Sequence, residues 1–325
     1  MKSTGGFARA VFVLGAVACV GCPAAAGAQA YPNKPVRVVV AFAAGGFADT
    51  NSRMVAQKIA ESVGQPVVVD NRGGAGGTLG ARIVVESNPD GYTLLATTAA
   101  SSITPSLYKN IGFDLLKDLV PVANTVSTPG VVAVVASHPA RDLRDFVQRS
   151  QGRKVNYATA GVGTSSHIAA DYVLRVLARL DATHVPFKGG GPAVIAVLGG
   201  QVELINSSGA SLPHIRSGKM RALAVMSLKR VSSLPGTPTI SESGLPAFEE
   251  RSWVGFFAPA KTPRPVVNLI NKEINKAIAQ PDVVARVESF GMDLHPGSAA
   301  DFAKFVHSEV AKWAKVVKIT GVKVD

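Results

Sequence analysis

The stretch VRVVVAFAAGGFADTNSR, which runs from Val36 to Arg53, decides how the rest of the chain is interpreted. It opens with a run of β-branched residues that is too short for a helix and rich in strand formers. Gly45 and Gly46 then break the run, and Asp49 stands where a helix is predicted to begin. The stretch therefore predicts a strand, a glycine turn and a helix N-terminus in immediate succession.

A turn of this kind is able to bind an anion. The first backbone N–H groups of a helix have no partner inside the helix, and the helix dipole is positive at that end. Gly45 and Gly46 lack the Cβ atoms that would keep a ligand away. An ordinary β–α turn of a parallel sheet explains the same residues, so both interpretations stay open. Asp49 is predicted either to cap the helix or to bind an amide or ammonium group of a ligand, and Phe42 to lie in the core or in a cleft wall.

The first 30 residues have the pattern of a secretory signal peptide, which is removed from the mature protein. Lys2 and Arg9 supply positive charge, residues 10–20 are apolar, and Ala28-Gln29-Ala30 matches the small-residue cleavage site before Tyr31. The sequence therefore predicts export to the periplasm.

Composition narrows the function classes further. The chain has 325 residues, 47% of them hydrophobic and 17% charged, which is enough for about two globular domains. Its two cysteines, Cys19 and Cys22, lie inside the predicted signal peptide, so the mature chain offers no disulfide and no cysteine metal site. Acylation of one of them, as in a lipoprotein, matches the local sequence less well. The net charge of +12 is scattered rather than gathered in a basic run, which favours small anions over nucleic acid as partners.

Beyond the signal peptide, the chain twice repeats the order strand, helix, strand, helix, strand, which is typical of a parallel sheet. The first set of strands is predicted at 36–41, 66–69 and 92–97, and the second at 155–159, 183–187 and 202–206. Return strands are predicted at 221–226 and 253–258, and helices at 49–63, 78–86, 265–279 and 299–317. Two apolar runs, 119–126 and 131–136, are predicted to be separate because residues 127–130 read as a break. This break is interpreted as the crossing into a second domain.

Loops at the carboxyl ends of parallel strands share one sheet edge, where open α/β sheets bind ligands. The loops after both sets of strands are small and polar, including 98–102 after the third strand. They are therefore expected to face one cleft, and closure of two lobes on a small ligand suits this layout.

Patterns of catalysis and of metal binding are mostly missing. The six histidines show no zinc-site spacing, and no G-x-S-x-G elbow is present. The glycine-rich loop 73–80 departs from the dinucleotide pattern G-x-G-x-x-G. Ser165 and His167 with a carboxylate form a possible triad, but they are too close in sequence and no oxyanion partner is marked. We therefore expect a protein that is not an enzyme and that has no metal or cofactor, with an exported hydrolase as the less favoured alternative.

A series of segments extends through the mature chain. They are Tyr31-Pro32-x-Lys34-Pro35, Phe42-x-x-Gly45-Gly46-x-x-Asp49-x-x-x-Arg53, Gly64-Gln65-Pro66-Val67-Val68-Val69, Asn71-Arg72-x-Gly74-Ala75-Gly76-Gly77, Pro89-Asp90-Gly91-Tyr92-Thr93-Leu94-Leu95, Tyr157-Ala158 with Gly161-x-Gly163 and His167, His184-Val185-Pro186-Phe187-Lys188-Gly189, Gly199-Gly200-Gln201-Val202, Pro213-His214-Ile215 and Leu223-Ala224-Val225. In this order they resemble the periplasmic solute-binding receptors of tripartite tricarboxylate transporters, the Bug receptors. Two loops depart from the family pattern. Ala41-Phe42-Ala43-Ala44-Gly45-Gly46 replaces a proline-rich start, and Gly73 stands where a proline is usual, which leaves loop rigidity and ligand size open.

The resemblance implies an α/β, two-lobed Venus-flytrap fold of the type II periplasmic binding proteins, each lobe a mainly parallel sheet flanked by helices. Residues 1–30 are the expected signal peptide, 31–127 with 229–325 the expected lobe 1, and 128–228 the expected lobe 2. The resemblance also implies a receptor that captures a small carboxylate, such as an organic acid, an acidic amino acid or an aromatic acid. It would deliver this ligand to the membrane permease of a tripartite transporter, or serve as a ligand-sensing subunit for a signalling protein. We expect a monomer that binds no nucleic acid.

The resemblance and the strand-end loops together predict a set of ligand-binding residues. They are Phe42, Ala43, Gly45, Gly46, Asp49, Thr50, Ala99, Ser101, Thr159, Gly161, Gly163, Thr164, Ser165, Lys188, Gly189 and Ser207.

Overall fold

A computed structural model describes residues 1–2, 31–108 and 110–324 of the chain. The chain divides into two compact units, Met1–Tyr31 and Pro32–Asp325. The predicted signal peptide, with Cys19, Cys22 and the cleavage site, lies outside the described residues except for its first two. All that follows concerns the second unit.

The described residues form ten strands. These are β1 (Val36–Val40), β2 (Val67–Asn71), β3 (Thr93–Thr98), β4 (Leu119–Val135), β5 (Lys154–Thr159), β6 (Asp181–Pro186), β7 (Leu204–Ser208), β8 (Met220–Val225), β9 (Arg251–Pro259) and β10 (Asp293–Leu294). Eight of them, all except β4 and β10, were predicted with no bound displaced by more than two residues.

The helices among the described residues lie between and after these strands. They are α1 (Phe47–Val63), α2 (Thr78–Val85), α3 (Ala100–Leu107), α4 (Leu115–Asp118), α5 (Leu143–Ser150), α6 (Ser165–Asp171), α7 (Gly190–Leu198), α8 (Leu212–Arg216), α9 (Arg264–Ile278), α10 (Pro281–Ser289) and α11 (Ala299–Thr320). A 3₁₀ turn at Ala75–Gly77 precedes α2, and a π-helical segment, Tyr172–Leu177, continues α6.

The strands form two sheets of the same design. In the first sheet β1 pairs in parallel with β2 and β3, and β9 lies antiparallel beyond β3. In the second sheet β5 pairs in parallel with β6 and β7, and β4 lies antiparallel beyond β7. Both repeated strand–helix units predicted from the sequence are thus confirmed, because each yields three parallel strands with the first strand in the middle.

The break predicted at residues 127–130 is wrong, because β4 runs through it without interruption. The first part of β4 pairs with β9, and its last part pairs with β7 and β8. Pro129 pairs with Arg251 of β9, and Gly130 is the first residue that pairs with β7. A proline, which cannot donate to a ladder, is tolerated here because it stands where β4 changes its neighbouring strand.

The predicted loop after β3 is also wrong, since α3 begins at Ala100. Pro105 lies inside this helix, where it lacks the backbone N–H of the other residues. Side chains support the turns of this short helix: the Ser101 hydroxyl donates to the Thr98 carbonyl at 2.9 Å and the Thr104 hydroxyl to the Ala100 carbonyl at 2.8 Å. The helix buries Ile103 completely and Leu107 almost completely.

The C-terminal helix α11 packs an apolar stripe into the core. Phe302, Val306 and Trp313 are buried, and Phe305 is partly buried against the same cluster. The ring of Phe302 meets the Trp253 ring edge-on at a centroid distance of 5.7 Å. Burial of three such side chains contributes roughly 5 to 9 kcal/mol of hydrophobic stabilisation before entropic costs.

Candidate functional site

The turn between β1 and α1 has the predicted form, but its N-cap is Gly46 rather than Asp49. Gly46 is extended, with φ −81° and ψ 177°, and has no side chain to cap the helix. Gly45 has φ +77°, in the left-handed region that glycine adopts without strain. Ala43, Gly45, Gly46 and Thr50 are exposed, so the backbone of this turn is open to a ligand.

Asp49 holds this turn in place from inside the protein. Its side chain is buried and accepts hydrogen bonds from the Gly45 N–H at 2.8 Å, from Arg53 Nε at 3.1 Å and from Asn71 Nδ2 at 2.9 Å. Burial raises the pKa of Asp49, but the bonds from Arg53, Gly45 and Asn71 outweigh it and hold the pKa below its ordinary value. Its oxygens are therefore already occupied by groups of the protein itself.

The loop after β2 supports the same turn from behind. Asn71 Nδ2 also donates to the Phe42 carbonyl at 3.1 Å. A Cβ at Gly73 would lie 3.2 Å from both the Phe42 carbonyl carbon and the Ala43 nitrogen, closer than almost all real contacts of this kind. Gly73, which replaces the proline usual in the family, thus allows the two loops to approach closely. Phe42 is half-buried, with its ring against Gly77.

In the second sheet, two histidines hold the loop that follows β5. His167 Nδ1 accepts a hydrogen bond from the Gly163 N–H at 3.2 Å, and His184 Nε2 lies 2.6 Å from the Thr159 hydroxyl. The two imidazole rings stack with centroids 3.8 Å apart and an interplanar angle of 14°. His167 is buried and His184 half-buried, so the pair fixes both ends of the turn Thr159–Gly163.

Both imidazoles are held neutral. Burial lowers the pKa of His167 to about 4, and burial together with the neighbouring His167 lowers the pKa of His184 to about 3. Asp171 and Arg175 are the charged groups that face His167, and their effects on it oppose each other. Nδ1 of His167 must be unprotonated to accept from Gly163, so the loop requires the neutral ring.

Acid is therefore expected to destabilise the fold through this pair. Between about pH 6.5 and pH 4 the unfolded chain binds protons at both rings that the folded chain does not, so the free energy of unfolding falls as the pH falls. His167→Asn, which keeps an acceptor near the position of Nδ1, is expected to reduce this dependence by about 1.4 kcal/mol per pH unit. Urea unfolding of both proteins at pH 6.5 and pH 5 measures the difference, and equal slopes would contradict it.

The loop after β6 leads into a second helix with an uncapped N-terminus. Gly189, the N-cap of α7, has φ +110° and no capping side chain. Its N–H donates to the Ala160 carbonyl at 3.0 Å, and the Phe187 N–H donates to the Thr159 carbonyl at 3.2 Å, so this loop is bonded to the loop after β5. Lys188 is exposed and forms no ion pair within the part of the chain that the structure describes.

The N-termini of α1 and α7 have no capping side chain, which is also true of α2, α3, α8, α9 and α10, whereas four of the described helices are capped. Asp114, Asp142, Thr164 and Ser298 each accept a backbone N–H at the start of α4, α5, α6 and α11. Where a side chain does not satisfy these N–H groups, they are free to bind water or an anion. The loop after β1 in the first sheet and the loop after β6 in the second sheet thus offer backbone donors, the second of them beside Lys188.

The remaining predicted residues lie deeper in the protein. Ala99 is fully buried at the start of α3, and the buried Ser207 donates from its hydroxyl to Ser211 at 2.8 Å. Ser165 is buried at the start of α6, whereas Thr164, Gly161 and Ser101 are partly exposed. A Cβ at Gly163 would lie 3.2 Å from Leu107 Cδ1 of α3, so the second-sheet loop meets a helix of the first sheet. The sequence did not predict Asn206 or Glu250, whose buried polar groups adjoin this region.

A crevice of about 850 Å³ lies apart from these loops and includes none of the predicted ligand-binding residues. It is lined by residues beside β10 and after β8, among them Pro129 and Lys229. Two of its cations are already engaged, since Arg216 donates to the Ser289 carbonyl and Arg251 pairs with Asp293. We therefore place the candidate site at the uncapped loops and not at this crevice.

Two further observations concern metal binding and membrane-spanning helices. In the described ranges, no three histidine or acidic side chains come together as a metal site would require. Across these same ranges, every helix is too short or too polar to cross a bilayer.

Known proteins resemble this chain in sequence and in fold. The model of the tripartite tricarboxylate transporter family receptor matches residues 51–322. BugT of Bordetella pertussis is 34% identical over 313 residues, which is 94% of this chain and 95% of BugT. The solved structure "R. palustris Rpa4515 with adipate" has a TM-score of 0.83 at 30% identity, covering 90% of this chain and 99% of that one. MatC from Rhodopseudomonas palustris with bound malate has a TM-score of 0.81 at 33% identity, covering 88% of this chain and 100% of that one.

These matches confirm the resemblance to the Bug receptors, and with it the two-lobed α/β fold of the periplasmic binding proteins. The matching family is one of receptors, and a solved structure at 35% identity is that of the periplasmic binding protein BugD, in agreement with the prediction that the chain is not an enzyme. The chain is a solute-binding protein that belongs to the receptor family of the tripartite tricarboxylate transporters.

Proposed function

We propose that this receptor captures a small dicarboxylate in the periplasm and hands it to the membrane permease of a tripartite transporter. The observation that carries the proposal is the pair of glycine N-caps, Gly46 and Gly189, which leave the first N–H groups of α1 and α7 without a capping side chain. Charge-assisted bonds from backbone N–H groups to carboxylate oxygens are among the stronger hydrogen bonds in proteins. The adipate and malate of the two related structures support this ligand class.

The mechanism follows from the two sheets. Residues 31–127 with 229–325 form one proposed lobe and 128–228 the other, and each lobe supplies one bare helix N-terminus, with Lys188 adding charge to the second. Closure brings the two sets of donors onto the two ends of the ligand. A ligand shifts the balance between open and closed forms only by its difference in affinity for the two. The predicted ligand-binding residues form the proposed site. Those that are buried support its walls and those that reach the surface face the ligand; the buried ones are Asp49, Ala99, Thr159, Gly163, Ser165 and Ser207. The proposal includes a cleaved signal peptide and a monomeric mature protein.

A thermal-shift screen tests this function. Malate and adipate, added far above their dissociation constants, are each expected to raise the melting temperature. A ligand at 100 times its dissociation constant raises the free energy of unfolding by about 2.7 kcal/mol. The neutral diol butanediol and a neutral sugar serve as controls and are expected to leave it unchanged. If only neutral compounds stabilise the protein, the proposed ligand class is wrong.

Gly46→Ser separates ligand binding from stability, because the two are expected to move in opposite directions. A serine at the N-cap position accepts from the first N–H groups of α1, which stabilises the helix by a few tenths of a kcal/mol. Its Cβ would lie 3.3 Å from the Ala43 carbonyl oxygen, so this exposed turn has to shift by a few tenths of an ångström. The same N–H groups are then lost to the ligand, so affinity for the dicarboxylate is expected to fall about tenfold, or about 1.4 kcal/mol.

Isothermal titration measures the affinity, and urea unfolding measures the stability. Gly236→Ser is the matched control, because no atom lies within 4 Å of a Cβ built at Gly236, which is not part of the proposed site. Undiminished affinity in Gly46→Ser would remove α1 from the site.

A further inference from the structure

Glu250 lies where the chain passes from the second sheet to the first, directly before β9. Its N–H donates to the Met226 carbonyl at 3.0 Å, directly after β8, and its carbonyl accepts from the Gly130 N–H of β4 at 3.0 Å. Arg251, the next residue, begins β9. The backbone of Glu250 thus joins the end of the second-sheet segment to the strand that both sheets share. Its side chain is fully buried, with 0% exposure.

The side chain of Glu250 turns toward the candidate site. Oε1 accepts from the Ser208 hydroxyl at 3.3 Å at the end of β7, and the Ser165 hydroxyl at the start of α6 also reaches the carboxyl. Both serines belong to the walls of the second-sheet loops. Glu250 is therefore in a position to hold these walls against the crossing strands.

The other oxygen of this carboxyl has no hydrogen-bond partner. A Cβ built at Gly130 would overlap Oε2 and would lie 3.2 Å from a second acceptor, Asn206 Oδ1, so both oxygens adjoin Gly130; neither of them receives a hydrogen bond. The amide of Asn206 is not free to turn around, because its Nδ2 donates to the Ser166 carbonyl at 2.9 Å. Two buried acceptors side by side without a donor are unfavourable, and a proton on Oε2 removes the conflict by making it a donor.

The electrostatic environment of Glu250 favours the protonated carboxyl. Burial is the main cause that raises the pKa of Glu250 to about 7. The charged groups that face it from α11 are Lys312 and Glu309, and they pair with each other, so they leave little net charge to stabilise an ionised Glu250. The indole N–H groups of Trp253 and Trp313 also bond to Glu309 rather than to Glu250.

We propose that Glu250 is a positioning residue that works as a neutral acid, donating from Oε2 to Asn206 and accepting from Ser208 and Ser165, so that proton loss loosens the ligand-binding wall of the second sheet. This rests on the proposed function for its ligand part. Ionisation would also place a negative charge near the site of an anion. Ligand binding and proton binding at Glu250 are then coupled, and each strengthens the other by the same factor.

Glu250→Gln tests the proposal, because glutamine keeps the shape and the donor of the neutral acid but cannot ionise. Infrared spectra of ligand-free protein, taken across pH 5.5 to 8.5, are expected to show a protonated-carboxyl band that disappears near neutral pH in the wild type and is missing in the variant. Malate and adipate titrations over the same range are expected to show affinity that falls about tenfold above neutral pH in the wild type and stays level in Glu250→Gln. Glu249→Gln, which alters the neighbouring carboxyl, is the matched control and is expected to keep the wild-type profile.

The infrared and the binding measurements test different parts of the proposal. Identical pH profiles for the wild type and Glu250→Gln, or a carboxyl band that survives in the variant, would overturn the proposal. A band that behaves as expected while neither acid binds at any pH would overturn the proposed ligand class, and with it the ligand part of this inference, while establishing the proton on Glu250.

Discussion

Gly130→Ala is expected to lower the free energy of unfolding by about 3 kcal/mol, although it adds only one methyl group. A Cβ at this position would overlap Glu250 Oε2 and would lie 3.2 Å from Asn206 Oδ1. Both neighbours are fully buried and bonded to other elements, so neither is able to move aside without breaking a contact. The cost arises from crowding alone, because the backbone of Gly130 is not in the left-handed region.

A double-mutant cycle tests whether this cost comes from the contact with Glu250. It compares urea unfolding of the wild type, Gly130→Ala, Glu250→Ala and the double variant. Glu250→Ala removes the crowding atoms, so Gly130→Ala is expected to cost less than about 1 kcal/mol in that background, a coupling of about 2 kcal/mol. Gly236→Ala, a glycine with open space around its Cβ position, is expected to change stability by no more than about 0.5 kcal/mol. Additive costs for the two substitutions would show that the methyl group does not meet Glu250.

Asp49→Ala is expected to lower affinity for the dicarboxylate more than tenfold and to lower the free energy of unfolding by about 2 kcal/mol. The carboxylate joins the Gly45 N–H, Arg53 and Asn71, and Asn71 in turn holds the Phe42 carbonyl. Without it the first turn loses its fixed shape, and the N–H groups that bind the ligand are no longer preorganised. Calorimetric titration of malate and adipate, with urea unfolding, measures the two effects.

Asp145→Ala provides a matched control, because Asp145 makes the same pattern of bonds on a different helix. It accepts from the backbone N–H of Arg141 at 3.0 Å and from Arg149 Nε at 2.7 Å, and these residues are spaced as Gly45 and Arg53 are around Asp49. Its removal is expected to reduce stability but leave affinity unchanged. Equal loss of affinity in both variants would mean that the effect of Asp49→Ala is a general one on folding.

The first turn shows how much of the site was accessible from the sequence. A β-branched run followed by two glycines predicts a strand and an open helix start, since both patterns act over a few residues. The prediction that Asp49 caps the helix was wrong, because Gly46 is the N-cap; the N–H that Asp49 binds lies before the helix, and Asn71 comes from another strand. Bonds between distant segments leave no periodic signal.

The strand β4 and the residue Glu250 show where such inference ends. Ser127-Thr128-Pro129-Gly130 has turn residues, yet the segment is extended because a different strand takes over pairing at Gly130. Glu250 follows another glutamate in a polar stretch, and only the assembled fold shows that one is buried and the other is not. Gly130, which leaves space for the Glu250 side chain, lies far from it in the sequence. Neither residue alone therefore predicts the contact between them.

The uninterrupted course of β4 has a mechanical consequence. One strand, β4, is hydrogen-bonded into both sheets, so the sheets are joined by paired backbone and not by flexible loops alone. A change in the angle between them would have to twist the paired strands near Pro129 and the start of β9. A change in the angle between the two sheets is therefore expected to be transmitted along one hydrogen-bonded strand, and not through independent loops.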